Sequence, residues 1–180
     1  MSKENIHTHL EALRPQLQNM ALDIWAHPEA GFHETYASNL QKDFLREMGA
    51  KIIAPIDMLD TAFMAEYGEG RPIIGFLGEF DALPGLSQKA GVNYREPLEE
   101  NAYGHGCGHN LLGTGSIAAF VGLMLTMREE MCIRDRPKRE TCMRLISAQM
   151  ERLIPRLIIL ITELQNFKII LTRTMSIGMN

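Results

Sequence analysis

The sequence predicts an α/β fold. Three observations lead there: two stretches with helical apolar periodicity at the N-terminal end, three short β-rich runs after them, and a glycine-punctuated segment that opens into a long apolar helix. A period that changes from 3.6 to 2 and back describes helices laid on a sheet.

Taken in order, Ile6, Leu10, Leu13, Leu17, Met20, Ala21, Ile24 and Trp25 recur at helical spacing with polar residues between them. Pro15 falls inside this stretch and has no N–H to give, so a kink or a break into two pieces is expected there. His27-Pro28-Glu29-Ala30-Gly31 ends the helix. The same period resumes over 32–48 through Tyr36, Leu40, Phe44, Leu45 and Met48, with Gly49 as its C-cap.

The runs 51–54, 61–67 and 72–77 are rich in Ile, Phe and Ala and read as strands. Gly68-Glu69-Gly70-Arg71 supplies the glycines of a tight hairpin between the second and third. The third run is almost continuously apolar, which predicts a central strand covered on both faces. It leads directly into Gly78-Glu79-Phe80-Asp81-Ala82-Leu83-Pro84-Gly85, so two acids stand at the carboxyl end of a buried strand, where open α/β sheets place their ligands. The polar stretch 84–104 is too long for a simple connection and points to a functional loop. Residues 111–127 are small and apolar and predict a largely buried helix.

Composition narrows the function. A net charge of −4 with acids and bases interspersed gives no basic stripe for nucleic acid and no polybasic segment for a membrane surface. Residues 1–5 lack an apolar signal-type core, and no run is expected to reach membrane-spanning length. Three widely spaced cysteines suit a reducing compartment, so a cytoplasmic protein acting on small molecules is the expectation.

The chemistry concentrates in Gly104-His105-Gly106-Cys107-Gly108-His109-Asn110. Thiolate and imidazole are preferred zinc ligands, and the intervening glycines let the backbone fold tightly around an ion. Cys107 and His109, one residue apart, can turn toward the same metal, and a helix beginning beside them favours the thiolate. Two ligands are half a site. Glu79 and Asp81, two apart, share a side of an extended chain and can bind a metal or orient a ligand imidazole. Read without that cluster they are solvated loop acids, and the cluster itself could be a buried cysteine between ordinary histidines. His27 and His33 suit packing or capping roles, His7 and His9 exposure to solvent, Trp25 a helix face, and Glu129-Glu130 a solvated helix end.

The ordered motifs 78–88 (Gly-Glu-Phe-Asp-Ala-Leu-Pro-Gly-Leu-Ser-Gln) and 104–114 (Gly-His-Gly-Cys-Gly-His-Asn-Leu-Leu-Gly-Thr), with Ile24-Trp25-Ala26-His27-Pro28-Glu29-Ala30-Gly31-Phe32-His33-Glu34 before them, resemble the zinc-dependent amidohydrolases of the aminoacylase and carboxypeptidase group of metallopeptidases. The resemblance spans about 5–126. It implies an α/β/α zinc-exopeptidase-like catalytic domain, present here in its N-terminal portion, with the inserted dimerisation domain absent. It further implies Zn2+ or Mn2+, two ions in the complete enzyme, with Cys107 and His109 as metal ligands, Asp81 as a metal-facing or ligand-orienting carboxylate, and His105 as a supporting imidazole. The implied reaction is attack of water on the amide of an N-acyl amino acid or a dipeptide, with metal assistance and a glutamate as general base, in a homo- or hetero-oligomer.

That glutamate belongs to a Glu-Glu pair following a Pro-Ala or Pro-Gly turn, on a strand after the helix that starts near Asn110. Neither the pair, the turn nor the strand is expected in this chain. Residues 1–127 are therefore read as part of the catalytic domain and 128–180 as an aberrant or unrelated tail, since Met131-Cys132-Ile133-Arg134-Asp135-Arg136 is similar to peptides translated from adapter or cloning sequence. A truncated or chimeric reading frame, inactive alone, is the expectation. The competing reading is a non-catalytic structural zinc module built from His105, Cys107, His109 and a further ligand such as Cys132. A thiol redox protein would need a Cys-x-x-Cys spacing, which the sequence lacks.

Overall fold

A computed structural model of the chain describes residues 3–70, 72–133, 142–147 and 167–169. In chain order these form α1 (Lys3–Ala26), α2 (Thr35–Met48), β1 (Lys51–Ile53), β2 (Phe63–Tyr67), β3 (Ile73–Gly78), α3 (His109–Ile133), β4 (Cys142–Ser147) and β5 (Phe167–Ile169).

The helix read from 6–25 is α1, and the break expected at Pro15 is not there: α1 runs through it. Losing one N–H donor is outweighed by packing, because Met20, Ala21 and Ile24 are buried and α1 lies along α3. Gly122 of α3 permits the approach: a Cβ there would stand 3.1 Å from Leu10 Cδ2 and 3.2 Å from Ile6 Cγ2. The start of α2 is held by Glu29, whose two carboxylate oxygens accept from the Tyr36 and Ala37 N–H groups at 2.8 and 2.9 Å. Its end is the expected glycine cap, Gly49 at φ 97°, with its N–H on the Arg46 carbonyl at 2.9 Å.

The sheet has the order β1-β2-β4-β3-β5. β2 and β3 are therefore not a hairpin, which corrects the reading of Gly68-Glu69-Gly70-Arg71. β4 lies between them, antiparallel to β2 and parallel to β3, with Phe63 opposite Ser147 and Leu77 opposite Ile146. A parallel neighbour requires a crossover, and α3 provides it. The sequence reading expected no strand after this helix. A strand does follow it, β4, which enters the middle of the sheet because Met143, Leu145 and Ile146 are apolar enough to be buried there.

Register puts Ile52, Phe63, Ala65, Tyr67, Ile74, Phe76, Met143 and Leu145 on one face, and every one of them joins the main core. The three helices contribute Met20 and Ile24, Ala37 and Leu45, and Ile117, Phe120, Val121 and Met124 to the same core. Phe76 meets Phe120 edge to face at 6.0 Å. The opposite face carries buried Ile73 and Ile146, with Arg144 donating to its register partner Glu66 at 3.0 Å. β3 is thus interior to the sheet, as its apolar run predicts.

Contrary to expectation, α3 is long and apolar enough to cross a membrane, but half of that stretch is buried inside the protein. It is apolar because it packs against α1 on one side and β3 and β4 on another.

Candidate functional site

The end of β3 and the start of α3 meet at glycine distance. A Cβ on Gly78 would lie 3.1 Å from Ser116 Cβ and 3.3 Å from Gly113 Cα, and one on Gly113 would lie 2.6 Å from the Glu79 carbonyl oxygen. The Ser116 hydroxyl donates to the Leu77 carbonyl and fixes the helix over the strand. Beyond β3, buried Phe80 takes the core side, leaving Glu79 and Asp81 together on the other.

His109, the first residue of α3, stands between these two acids. Its Nδ1 is 2.8 Å from Asp81 Oδ1 and its Nε2 is 3.1 Å from Glu79 Oε2. Asp81 is buried, whereas Glu79 and His109 are each about one-fifth exposed in their side chains. The hydrogen bond that His109 donates to Asp81, reinforced by the charges of Asp81 and Glu79, raises the His109 pKa above the ordinary imidazole value despite partial burial.

The turn before α3 is set by Gly108 at φ 78°, whose N–H bonds the His105 carbonyl at 3.0 Å. His105 is buried. Its Nε2 donates to the Ile24 carbonyl at 3.1 Å, its buried Nδ1 has no hydrogen-bond partner among the described residues, and burial lowers its pKa. Asn110, which the sequence reading passed over, donates to the Ala21 carbonyl at 3.0 Å. Both side chains hang the site loop from the last turns of α1. Cys107 is a free, exposed thiol on the same turn. Of the sequence-predicted residues, Asp81 and His109 are in contact, His105 bonds to the end of α1, and Cys107 is exposed on the turn before His109. The approach of Glu79 to Nε2 was foreshadowed only by its two-residue spacing from Asp81. Among the other histidines, His27 stacks on Tyr36 with ring centroids 4.2 Å apart, and His9 is not free in solvent but stands 3.1 Å from Glu129 Oε2.

The donor set can be tested against a metal. A ligating imidazole characteristically hands its other ring N–H to a carboxylate, as His109 does to Asp81. Two ligands of one zinc at about 2.0–2.2 Å stand roughly 3–3.5 Å apart, which the His109 Nε2 to Glu79 Oε2 separation of 3.1 Å satisfies. Among the described residues, however, no group of three or more His, Cys, Asp and Glu side chains is arranged to hold an ion. The fit is to one side of a metal centre.

The loop 84–104 returns to the site through a Leu83–Gly104 bridge with two 3.0 Å hydrogen bonds. Only glycine fits at 104, where a Cβ would fall 1.9 Å from the Leu86 carbonyl oxygen. Between this loop and the end of α1 lies a cavity of about 240 Å3, walled by Trp25, Pro28, Leu86, Leu98, Tyr103 and His105.

This arrangement of helices on a mixed sheet is the fold of the M20 metallopeptidases. Over 88% of this chain and 42% of the other, it superimposes on a dinuclear metal-binding peptidase of the M20 family from Bacillus subtilis with a TM-score of 0.62 at 21% identity. In sequence, the chain is 40% identical over 114 residues to a p-aminobenzoyl-glutamate hydrolase component from Escherichia coli (strain K12), covering 63% of this chain and 24% of that protein. It is 34% identical over 113 residues to the Xaa-Arg dipeptidase of Homo sapiens, covering 56% and 22% respectively. By descent the chain is related to amide- and peptide-bond hydrolases. It spans about a quarter of the length of these relatives, and no protein-family profile matches it.

Proposed function

We propose that the chain supplies one side of the metal centre of an amidohydrolase that cleaves an N-acyl amino acid, p-aminobenzoyl-glutamate among them, or a dipeptide. The observation that carries this reading is His109 held between Asp81 and Glu79 where β3 and α3 meet. Asp81 fixes the imidazole with Nδ1–H inward and Nε2 toward Glu79. Cys107 on the preceding turn and His109 are the proposed metal ligands, Glu79 faces the same ion, and His105 supports the turn by its bond to Ile24. A bound Zn2+ or Mn2+ supplies Lewis acidity for the attack of water on the amide and for the developing oxyanion. The thiolate favours zinc.

In the complete enzyme we place two ions, a general-base glutamate from outside the residues named here, and an oligomeric assembly. We assign it to the cytoplasm, where an exposed thiol such as Cys107 stays reduced. The relatives' names, a hydrolase and a dipeptidase, support the reaction class.

The experiment is zinc titration of the purified chain with a chromophoric competitor, run beside an assay for release of p-aminobenzoate and of amino acids from dipeptides. Weak zinc binding that His109→Ala and Cys107→Ser each abolish, with no turnover by the 180-residue chain, is expected. Zinc binding indifferent to both substitutions overturns the ligand assignment. Loss of the whole fold on chelation establishes a structural zinc module instead, and vigorous hydrolysis shows that the chain carries its own general base.

A further inference from the structure

Of the first-turn N–H groups of α2, that of Thr35 bonds the His33 carbonyl at 2.7 Å, whereas those of Tyr36 and Ala37 both go to the Glu29 carboxylate at 2.8 and 2.9 Å. A side chain held at both oxygens fixes the backbone that carries it. That backbone is itself engaged: the Glu29 carbonyl accepts from the Ala82 N–H at 2.8 Å, and Ala30 forms a parallel bridge with Ala82. Ala82 directly follows Asp81, whose carboxylate accepts from His109 Nδ1 at 2.8 Å. Leu83, one residue further on, is tied to Gly104 instead. Hydrogen bonds and peptide links thus run from the N-terminus of α2 through Glu29 to the backbone beside the carboxylate that orients His109.

The turn between Glu29 and α2 is held taut. Phe32 has φ 69°, a left-handed conformation that an aromatic residue rarely adopts. Backbone in that region persists only where its surroundings over-determine it. Here the Ala30–Ala82 bridge constrains the turn on one side and the start of α2 on the other, and the His33 N–H closes it on the Ala30 carbonyl at 3.0 Å. Capping α2 accounts for the two N–H bonds to the Glu29 carboxylate. It does not require the same residue to receive the amide next to Asp81.

We infer that Glu29 is a positioning residue for the candidate metal centre: it sets the place of Asp81 and, through Asp81, the direction of the His109 ring. Its value to a metal rests on the reading of His109 as a ligand given above. The placing of Asp81 does not.

Glu29→Ala removes both bonds to α2, and Glu29→Gln keeps one acceptor oxygen. Tyr36→Phe is the control, because it loosens the same helix start by removing the hydroxyl that donates to both Asp23 carboxylate oxygens at 3.0 Å, while keeping its N–H on Glu29. In NMR spectra of the metal-free 180-residue chain, Glu29→Ala should speed exchange of the Ala82 amide and shift the His109 ring resonances, and Tyr36→Phe should do neither. In zinc titration Glu29→Ala should weaken binding about 3- to 10-fold, short of the 10- to 100-fold that follows loss of the carboxylate behind a ligating imidazole, because it displaces that carboxylate rather than removing it. Glu29→Gln should fall between Glu29→Ala and the wild type. In an Asp81→Ala background the Glu29→Ala effect should vanish, since no acceptor is left to place. A folded Glu29→Ala chain whose His109 resonances and zinc affinity match the wild type overturns the inference. So does a Tyr36→Phe effect as large as that of Glu29→Ala, or a Glu29→Ala effect undiminished in the Asp81→Ala background. Should Glu29→Ala fail to fold, Glu29→Gln decides by the same readings. Should the wild-type chain bind no zinc, the metal reading falls by itself, and the His109 resonances of the metal-free chain decide this one: left unshifted by Glu29→Ala, they overturn it.

Discussion

Gly113→Ala tests whether the close contact of α3 with β3 builds the candidate site. A methyl group at 113 would come within 2.6 Å of the Glu79 carbonyl oxygen, about 0.8 Å short of the 3.4 Å at which ordinary contact begins, and within 3.1 Å of Gln41 Nε2. The near neighbour is backbone, so the helix or the segment carrying Glu79 has to move. Overpacking of this kind costs about 1–3 kcal/mol. Replacing a helical glycine by alanine also gains about 1 kcal/mol of helix propensity, which would mask part of that cost. Gly115→Ala is the matched control, because Gly115 lies two residues on in the same helix with nothing within 4 Å of its added methyl. Propensity cancels between the two variants. The remaining difference, about 1–3 kcal/mol at roughly 2–4 °C per kcal/mol for a chain of this size, corresponds to a melting temperature about 2–12 °C lower for Gly113→Ala than for Gly115→Ala. Thermal unfolding followed by circular dichroism measures it, and the His109 ring resonances should shift only in the Gly113 variant. A Gly113→Ala protein as stable as its Gly115→Ala counterpart would falsify the claim that this contact is tight.

Three further outcomes are expected. Asp81→Asn keeps an acceptor for His109 Nδ1 but removes the charge, and should weaken zinc binding about 10- to 100-fold, as loss of a carboxylate behind a ligating imidazole does; competition titration showing affinity within twofold of wild type would contradict it. In the metal-free chain, NMR titration should find His109 protonated to higher pH than an ordinary histidine and His105 deprotonated at lower pH. The raised His109 value means that its contribution to stability is full below the unfolded imidazole pKa and disappears as pH rises through the folded one, whereas His105, with its value lowered, opposes folding as pH falls below the unfolded value. Phe120→Ala empties a fully buried position against Phe76 and should cost about 3–5 kcal/mol in denaturant unfolding at an unchanged slope; a loss under about 1 kcal/mol would show that the ring is not part of the core.

Local chemistry was readable from the chain wherever it depended on neighbours in sequence. The periodicity of α1 and α2, the Gly49 cap and the apolar run of β3 all depend on residues a few positions apart. So does the placing of Glu79 and Asp81 after a strand, one consequence of which is the hydrogen bond of Asp81 to His109. Pairing was not readable. The glycines at 68 and 70 do take positive φ, as a turn demands, but local conformation carries no statement of which strand lies alongside, and β4 arrives from beyond a charged stretch that hides its apolar alternation. The bonds from His105 to Ile24 and from Asn110 to Ala21 join residues more than eighty positions apart, and a polar side chain opening an apolar helix was their only trace. The turn that carries the candidate ligands Cys107 and His109 thus depends on the first helix, which holds neither of them.

The position of β4 also sets an order of events during synthesis. β2 and β3 leave the ribosome early, yet each waits for the same later strand before its inner edge is paired, since Phe63 finds Ser147 and Ile73 finds Cys142. Until then the nascent chain offers two open strand edges side by side, the state most exposed to pairing with another copy. The carboxyl end of β3, where Glu79 and Asp81 stand, acquires its final neighbour only when Ser147 has emerged. Assembly of this edge is therefore a late step, controlled by translation past α3 rather than by the motif that α3 begins.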